Sequence, residues 1–249
     1  MNYNPFSLEN KTILVTGASS GIGRATAIEC SKMGATVVIT GRNTERLNET
    51  FVQLDLTKPN VIIDGDLTNE DFIAEMTVSI PNVDGVVFCA GIPDRTLLKF
   101  ASMEKILRVF EINLLSQIIF IRALLKKKKI NDGASIVFIS SVAAYKVVPG
   151  LSLYCATKSG LISIMKGLAV ELFSRKIRSN AILPSMVRTE LINTDGSMSS
   201  EDWEKDEAKY PFGYGKPNDV AFSAIYLLSD ATKWMTGSEI VIDGGFTLL

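Results

Sequence analysis

The sequence predicts a doubly wound α/β fold, a parallel sheet of about seven strands flanked by helices on both faces, built as one domain over residues 1–249. Three observations carry this. Strand-length runs rich in Val and Ile alternate with helix-length amphipathic stretches. The runs lack polar alternation, so each strand is expected to be buried on both faces, as in parallel sheets. A glycine-rich loop stands between the first run and the first helix.

In chain order the strands are 12-TILVTG-17, 36-TVVITG-41, 60-NVIID-64, 84-DGVVFCAG-91, 134-ASIVFIS-140, 177-IRSNAILP-184 and 239-EIVIDGG-245. Helices are predicted at 22–33, 43–56, 69–78, 102–129, 153–174 and 217–230. The third follows 66-DLTNED-71, a good N-terminal signal, and the last opens with Pro217, which suits a first helical turn. No Pro/Ser-rich linker, composition break or repeat divides the chain. The polar, turn-rich stretch at 190–216 is expected to be a substrate lid or a poorly ordered surface segment.

Composition excludes several function classes. A hydrophobic fraction of 47% and a net charge of −1 fit an ordinary globular protein and give no reason to expect nucleic acid or acidic membrane as partner. The opening MNYNPFSLENK lacks a basic start followed by an apolar run, and no stretch approaches about 18 uncharged apolar residues, so a cytoplasmic protein without a membrane span is expected. Cys30, Cys89 and Cys155 read as buried free thiols in a reducing compartment. The chain has no histidine, so neither a Ser-His-Asp or Cys-His nucleophile nor a His-based metal site can form, and no metal is expected. Any general acid or base must be Tyr, Lys, Asp, Glu or Cys.

The loop 16-TGASSGIGRATA-27 places Gly17, Gly21 and Gly23 where a tight turn, close approach of a pyrophosphate and tight helix–sheet packing are needed. The following helix N-terminus offers unpaired N–H groups to phosphate, and Ser19 and Ser20 add hydroxyl donors. At the end of the second strand, where NAD sites carry an acidic residue, the chain has Gly41-Arg42. A guanidinium there favours NADP(H) over NAD(H), unless Arg42 is simply a surface arginine at a helix start. Tyr154 and Lys158 of 154-YCATKSG-160 share one helix face. Alone, such a pair is equally a packed tyrosine beside a solvated lysine.

Taken together, TGASSGIG (16–23), Asp66-Leu67, CAG (89–91), Asn113, Ser140-Ser141, YCATK (154–158) and TGSEIVIDGG (236–245) resemble the short-chain dehydrogenase/reductase family over nearly the whole chain. The resemblance implies an NAD(P)(H)-dependent oxidoreductase of Rossmann type, commonly a homotetramer or homodimer. It also implies that Tyr154 is the proton-transfer group, and that Ser141, thirteen positions earlier, binds the reacting oxygen. Lys158 would lower the tyrosine pKa and hold the nicotinamide ribose, and Asn113 would hold a water linking Lys158 to solvent. Asp66 would contact adenine, or merely cap a turn. Thr189 would hold the carboxamide, and Ala90 and Gly91 would let the cofactor approach the backbone. Ile22, Leu67 and Val187 complete the implied cofactor contacts. Two positions depart from the pattern: Cys89 replaces an asparagine that normally ties the central strands, and Ser185 replaces a glycine.

Substrate choice is expected in 144–153 and 185–215, through a largely apolar lining: Tyr145, Val147, Val148, Pro149 and Leu151, then Met186, Leu191, Trp203, Tyr210, Phe212 and Tyr214. The run 126-KKKK-129 is either a solvated helix end or a docking patch for an acidic carrier, with Arg175 adding to the second reading. The expected substrate is a small carbonyl or alcohol, with a carrier-bound 3-oxoacyl thioester the leading specific form. A sugar or other secondary-alcohol dehydrogenase is the alternative. A dinucleotide-sensing protein without turnover is a third reading, opposed by the intact Asn113, Ser141, Tyr154 and Lys158.

Overall fold

The computed structural model describes residues 3–190 and 199–249. All seven strands form one parallel sheet in the order β3-β2-β1-β4-β5-β6-β7. They are β1 (Thr12–Thr16), β2 (Thr36–Gly41), β3 (Val61–Asp64), β4 (Val83–Phe88), β5 (Ile130–Ile139), β6 (Arg178–Pro184) and β7 (Glu239–Ile242). The chain starts in the middle of the sheet, winds outward to β3, then returns past β1 to build the other half. Two apolar clusters cover the two faces. One gathers around Phe88, Phe120 and Phe138, with the rings of Phe88 and Phe138 stacked 4.8 Å apart. The other joins Ile13, Val15 and Ile39 to Val220, Ala224 and Leu228.

The helices are α1 (Gly21–Lys32), α2 (Thr44–Phe51), α3 (Glu70–Ser79), α4 (Met103–Phe110), α5 (Ser116–Lys126), α6 (Ser152–Glu171), α7 (Ser200–Glu207) and α8 (Pro217–Leu228). Side chains of Asn43, Asn69 and Ser102 cap α2, α3 and α4. The helix predicted at 102–129 runs from Met103 to Lys126, with a π turn at Glu111–Leu115 between α4 and α5 that the sequence reading did not include. Within 190–216 lies α7, whose N-terminus is closed by a reciprocal Ser199–Asp202 capping box. No helix among the described residues is long and apolar enough to cross a membrane.

Candidate active site

The strand order reverses direction between β1 and β4, so the connections leaving their carboxyl ends diverge and open a crevice. Gly17, at the end of β1, has a left-handed φ of +64°, and a Cβ there would sit 3.0 Å from the backbone N and Cα of Ala90. A Cβ on Gly23 would lie 2.3 Å from the Gly17 carbonyl oxygen. These are positions where only backbone can line the cradle, and Ser20 at the N-cap of α1 makes no side-chain cap. The first-turn N–H groups of α1 are therefore left for an anion. Bare backbone, a helix N-terminus and serine hydroxyls together fit a dinucleotide pyrophosphate.

The crevice has a volume of about 630 Å³. Gly17, Ser19, Ser20, Gly21, Ile22 and Gly23 form one wall; Ala90, Gly91 and Thr189 close the inner end. Thr189 reaches the loop itself, because a Cβ on Gly21 would meet its Cγ2 at 3.1 Å. At the outer end stand Arg42, Asp66 and Leu67. Arg42 Nη1 is 3.9 Å from the Asp66 carboxylate, with both side chains about half exposed. Asp66 also accepts hydrogen bonds from the N–H and hydroxyl of Thr68, both at 2.9 Å, so it shapes the turn as well as facing the crevice. Arg46, in the first turn of α2, lines the same end and pairs with Glu190 at 2.8 Å.

A second cleft of about 460 Å³ adjoins the first and shares Ile22, Cys89, Gly91 and Thr189 with it. Ser141, Tyr154, Lys158 and Val187 line it. Ser141 follows β5, and its Oγ accepts from Ala143 N at 3.1 Å. Tyr154 lies in the first turn of α6 and Lys158 one turn later, with Nζ 5.5 Å from the tyrosine ring centre. Lys158 is buried, and Nζ donates to the Ile139 carbonyl at 2.9 Å. Burial alone brings its ammonium down to about 8.

The expected lowering of the Tyr154 pKa draws on Lys158 and a cationic nicotinamide together; the chain's own groups act the other way. Burial pushes the phenol up to about 12, and the hydrogen bond from Ser141 only partly opposes this. Lys158, desolvated beside it, adds no resolved pull on the phenol. Asn113 sits behind the cleft wall in the π turn. Its side chain clamps Ile92, accepting from the backbone N at 2.7 Å and donating to the carbonyl at 2.9 Å. A Cβ on Gly91 would meet Asn113 Oδ1 at 3.3 Å and Lys158 Nζ at 3.7 Å, so both side chains converge on that glycine.

Several contributors escape the sequence reading. Thr16 Oγ1 accepts from Cys89 N at 3.1 Å and Ala90 N at 3.3 Å, tying β1 to β4 beside Cys89. Arg46 lies in the first turn of α2, four residues past Arg42, and could have been found as a second cation beside the end of β2. Gln117 is an amide four residues from Asn113, just before the apolar run Ile118–Ile121. The stretch after β4 brings Asp94 and Arg95 into the second cleft, and Phe246 reaches it from the C-terminal segment.

Of the expected substrate lining, Val148, Pro149, Leu151, Met186, Trp203 and Tyr210 face the cleft. Tyr145, Val147, Phe212 and Tyr214 do not line it, and Leu191 lies outside the described residues. Tyr145 is exposed and bonds Glu239, while the Tyr214 hydroxyl donates to Asp206 at 2.6 Å. The lining is also less apolar than expected: Arg95, Lys146 and Lys209 share it with Asp94 and Asp206. Arg95 lies over Trp203, 5.4 Å from the ring centre. Lys126–Lys129 and Arg175 precede β5 and β6, at the amino edge of the sheet, whereas this chain's Ser141 and Tyr154 stand beyond the carboxyl edge. Arg175 is held there by Asp132 and the Ile130 carbonyl.

Comparison with known proteins agrees with this architecture. A family pattern described as Enoyl-(Acyl carrier protein) reductase matches residues 17–247. A 3-oxoacyl-[acyl-carrier-protein] reductase of Rickettsia felis is 35% identical, with 97% of this chain and 99% of that protein covered. An L-rhamnose 1-dehydrogenase (NAD(P)(+)) of a Sphingomonas species is 34% identical, with 96% of each covered. A crystal structure of a dehydrogenase/reductase from Sinorhizobium meliloti superposes with a TM-score of 0.89 at 30% identity, covering 97% of each chain. Fold, site and relatives together define an oxidoreductase of CH–OH groups that works with a nicotinamide dinucleotide. The chain belongs to the short-chain dehydrogenase/reductase family.

Proposed function

We propose that the chain is an NADPH-dependent carbonyl reductase whose proton-transfer group is Tyr154. One observation carries this reading: Ser141, Tyr154 and Lys158 line a single cleft that opens, past Gly91 and Thr189, onto the glycine cradle. NADPH supplies the hydride when bound. Burial holds the phenol protonated at neutral pH, the form reduction requires, and the positive charge of a bound nicotinamide would bring its pKa down toward the working range. The Ser141 hydroxyl positions the carbonyl oxygen and stabilises charge developing on it. Lys158 orients the nicotinamide ribose, and Asn113 holds the backbone at Ile92 from which Gly91 and the cleft floor are set. Arg42 and Arg46, both at the outer end of the crevice, support selection of a 2′-phosphate.

The substrate proposed first is a 3-oxoacyl thioester, the class named in the Rickettsia relative. A second reading, oxidation of a sugar or other secondary alcohol, is favoured by the charged lining of Arg95, Asp94, Asp206 and Lys209, which suits hydroxyl groups. The L-rhamnose relative points the same way. Exposed apolar side chains on α4 and α6, among them Met103, Leu107 and Val170, are a surface that other copies in a homotetramer would cover. The buried thiols Cys30 and Cys155 suit a reducing cytoplasm. A turnover screen with acyl thioesters, ketoses and secondary alcohols, in both directions, separates the readings. Tyr154→Phe should lose about 100-fold or more in kcat with cofactor affinity retained. Turnover near wild type on the best substrate would overturn the assignment of Tyr154.

A further inference from the structure

The π turn at Glu111–Leu115 widens the backbone spiral and shifts its carbonyls from i+4 to i+5 backbone partners, as in the bond from Ser116 N–H to the Glu111 carbonyl. Side chains one turn later bond these carbonyls as well: Ser116 Oγ donates to the Ile112 carbonyl at 2.9 Å, and Gln117 Nε2 donates to the Asn113 carbonyl at 3.0 Å. The same Gln117 nitrogen donates its second proton to the Ala90 carbonyl at 2.9 Å. One amide group therefore joins the Asn113 turn to the segment leaving β4. The orientation of that amide is fixed by its surroundings, since the reverse would press its oxygen against two carbonyl oxygens. Gln117 is fully buried, and its Oε1 has no partner among the described residues. A buried acceptor left unpaired is a cost that leucine would avoid, so what the glutamine contributes lies in its two donors.

We infer that Gln117 is a positioning residue for proton transfer, locking the Asn113 turn to Ala90 so that Gly91, Ile92 and Lys158 keep their spacing. The linkage is short. Asn113 grips Ile92 at both backbone groups, and Gly91 is the point on which Asn113 Oδ1 and Lys158 Nζ converge. Gln117 touches none of the reacting groups itself. Without its two hydrogen bonds, the turn and the strand end are free to drift apart, and the buried surroundings of Lys158 loosen.

This inference rests on the proposed reductase activity, and the test keeps the two apart. Gln117→Leu removes both donors; Gln117→Glu restores one donor only when the buried acid is protonated. For Gln117→Leu we expect kcat to fall roughly tenfold, with substrate KM within about twofold, since small displacements of catalytic groups act mainly on turnover. Gln117→Glu should gain a limb in its pH profile, recovering activity as pH falls, that neither wild type nor Gln117→Leu shows. In the full-length, cofactor-free protein, amide exchange at Ile92 should speed up in Gln117→Leu while β6 amides stay protected. Wild-type kcat and unchanged Ile92 exchange would overturn the inference, as would a uniform rise in exchange across Ile92 and β6, which marks a packing residue. If wild type turns over neither carbonyls nor alcohols, the activity reading fails, and the Ile92 exchange result decides for Gln117 by itself.

Discussion

Lys158 is held where a lysine destabilises the fold, and Lys158→Met measures by how much. Its ammonium falls from the usual 10.5 to about 8 because it is desolvated. At about 1.4 kcal/mol per pH unit, this corresponds to about 3 kcal/mol. The folded state binds that proton less tightly than the unfolded chain does. Stability is therefore penalised in full below pH 8, and the penalty fades as pH rises to 10.5. Methionine escapes it but leaves the Ile139 carbonyl without its 2.9 Å donor, at a cost of about 1–2 kcal/mol. In the cofactor-free protein, Lys158→Met should then be more stable than wild type by about 1–2 kcal/mol at pH 7, several degrees in Tm. Near pH 10.5 the order should reverse, with the variant weaker by about 1–2 kcal/mol. Urea unfolding of both proteins at the two pH values is the assay. Equal stability differences at pH 7 and 10.5 would refute the claim that Lys158 is a desolvated ammonium.

Gly23→Ala would drive a Cβ to 2.3 Å from the Gly17 carbonyl oxygen, so the loop must move. Cofactor affinity should drop by more than about tenfold while stability falls about 1–3 kcal/mol, checked by fluorescence titration and thermal melts; unchanged affinity would disprove the close-approach reading. Arg42→Ala and Arg46→Ala should each weaken NADPH binding about tenfold and leave NADH within about twofold. Equal losses for the two cofactors, measured by titration calorimetry, would remove both arginines from any role in recognising a 2′-phosphate.

The fold was legible because its signals are local and repeated. Val/Ile runs without alternation marked every strand of the parallel sheet, and Gly17, Gly21 and Gly23 marked a loop where backbone must approach backbone. The grouping of Ser141, Tyr154 and Lys158 was legible through a family pattern, not through periodicity. What escaped depends on long-range placement. The π turn at Glu111–Leu115 has no proline or glycine to announce it; its carbonyls are bonded by Ser116 and Gln117, which look like ordinary polar residues of a helix. Asp94, Arg95 and Phe246 enter the second cleft from segments distant in sequence, whereas Lys146, Asp206 and Lys209 lie within 144–153 and 185–215, where nothing local distinguishes a charged side chain that turns inward from a solvated one. The state of Tyr154 is set jointly by burial, which the fold supplies, and by the charge of a nicotinamide, which no residue of the chain encodes.

The Thr16 hydroxyl gives the crevice a fixed gauge. Where β1 and β4 part company, the N–H groups of Cys89 and Ala90 have no strand carbonyl to meet, and one side-chain oxygen takes both. The opening angle of the fork is then set by the reach of a hydroxyl from its own Cα, a length that thermal motion of neighbouring loops does not change. Thr16→Ser keeps that gauge, whereas Thr16→Val, nearly identical in volume, would leave two buried donors to seek water and let the fork spread from its root.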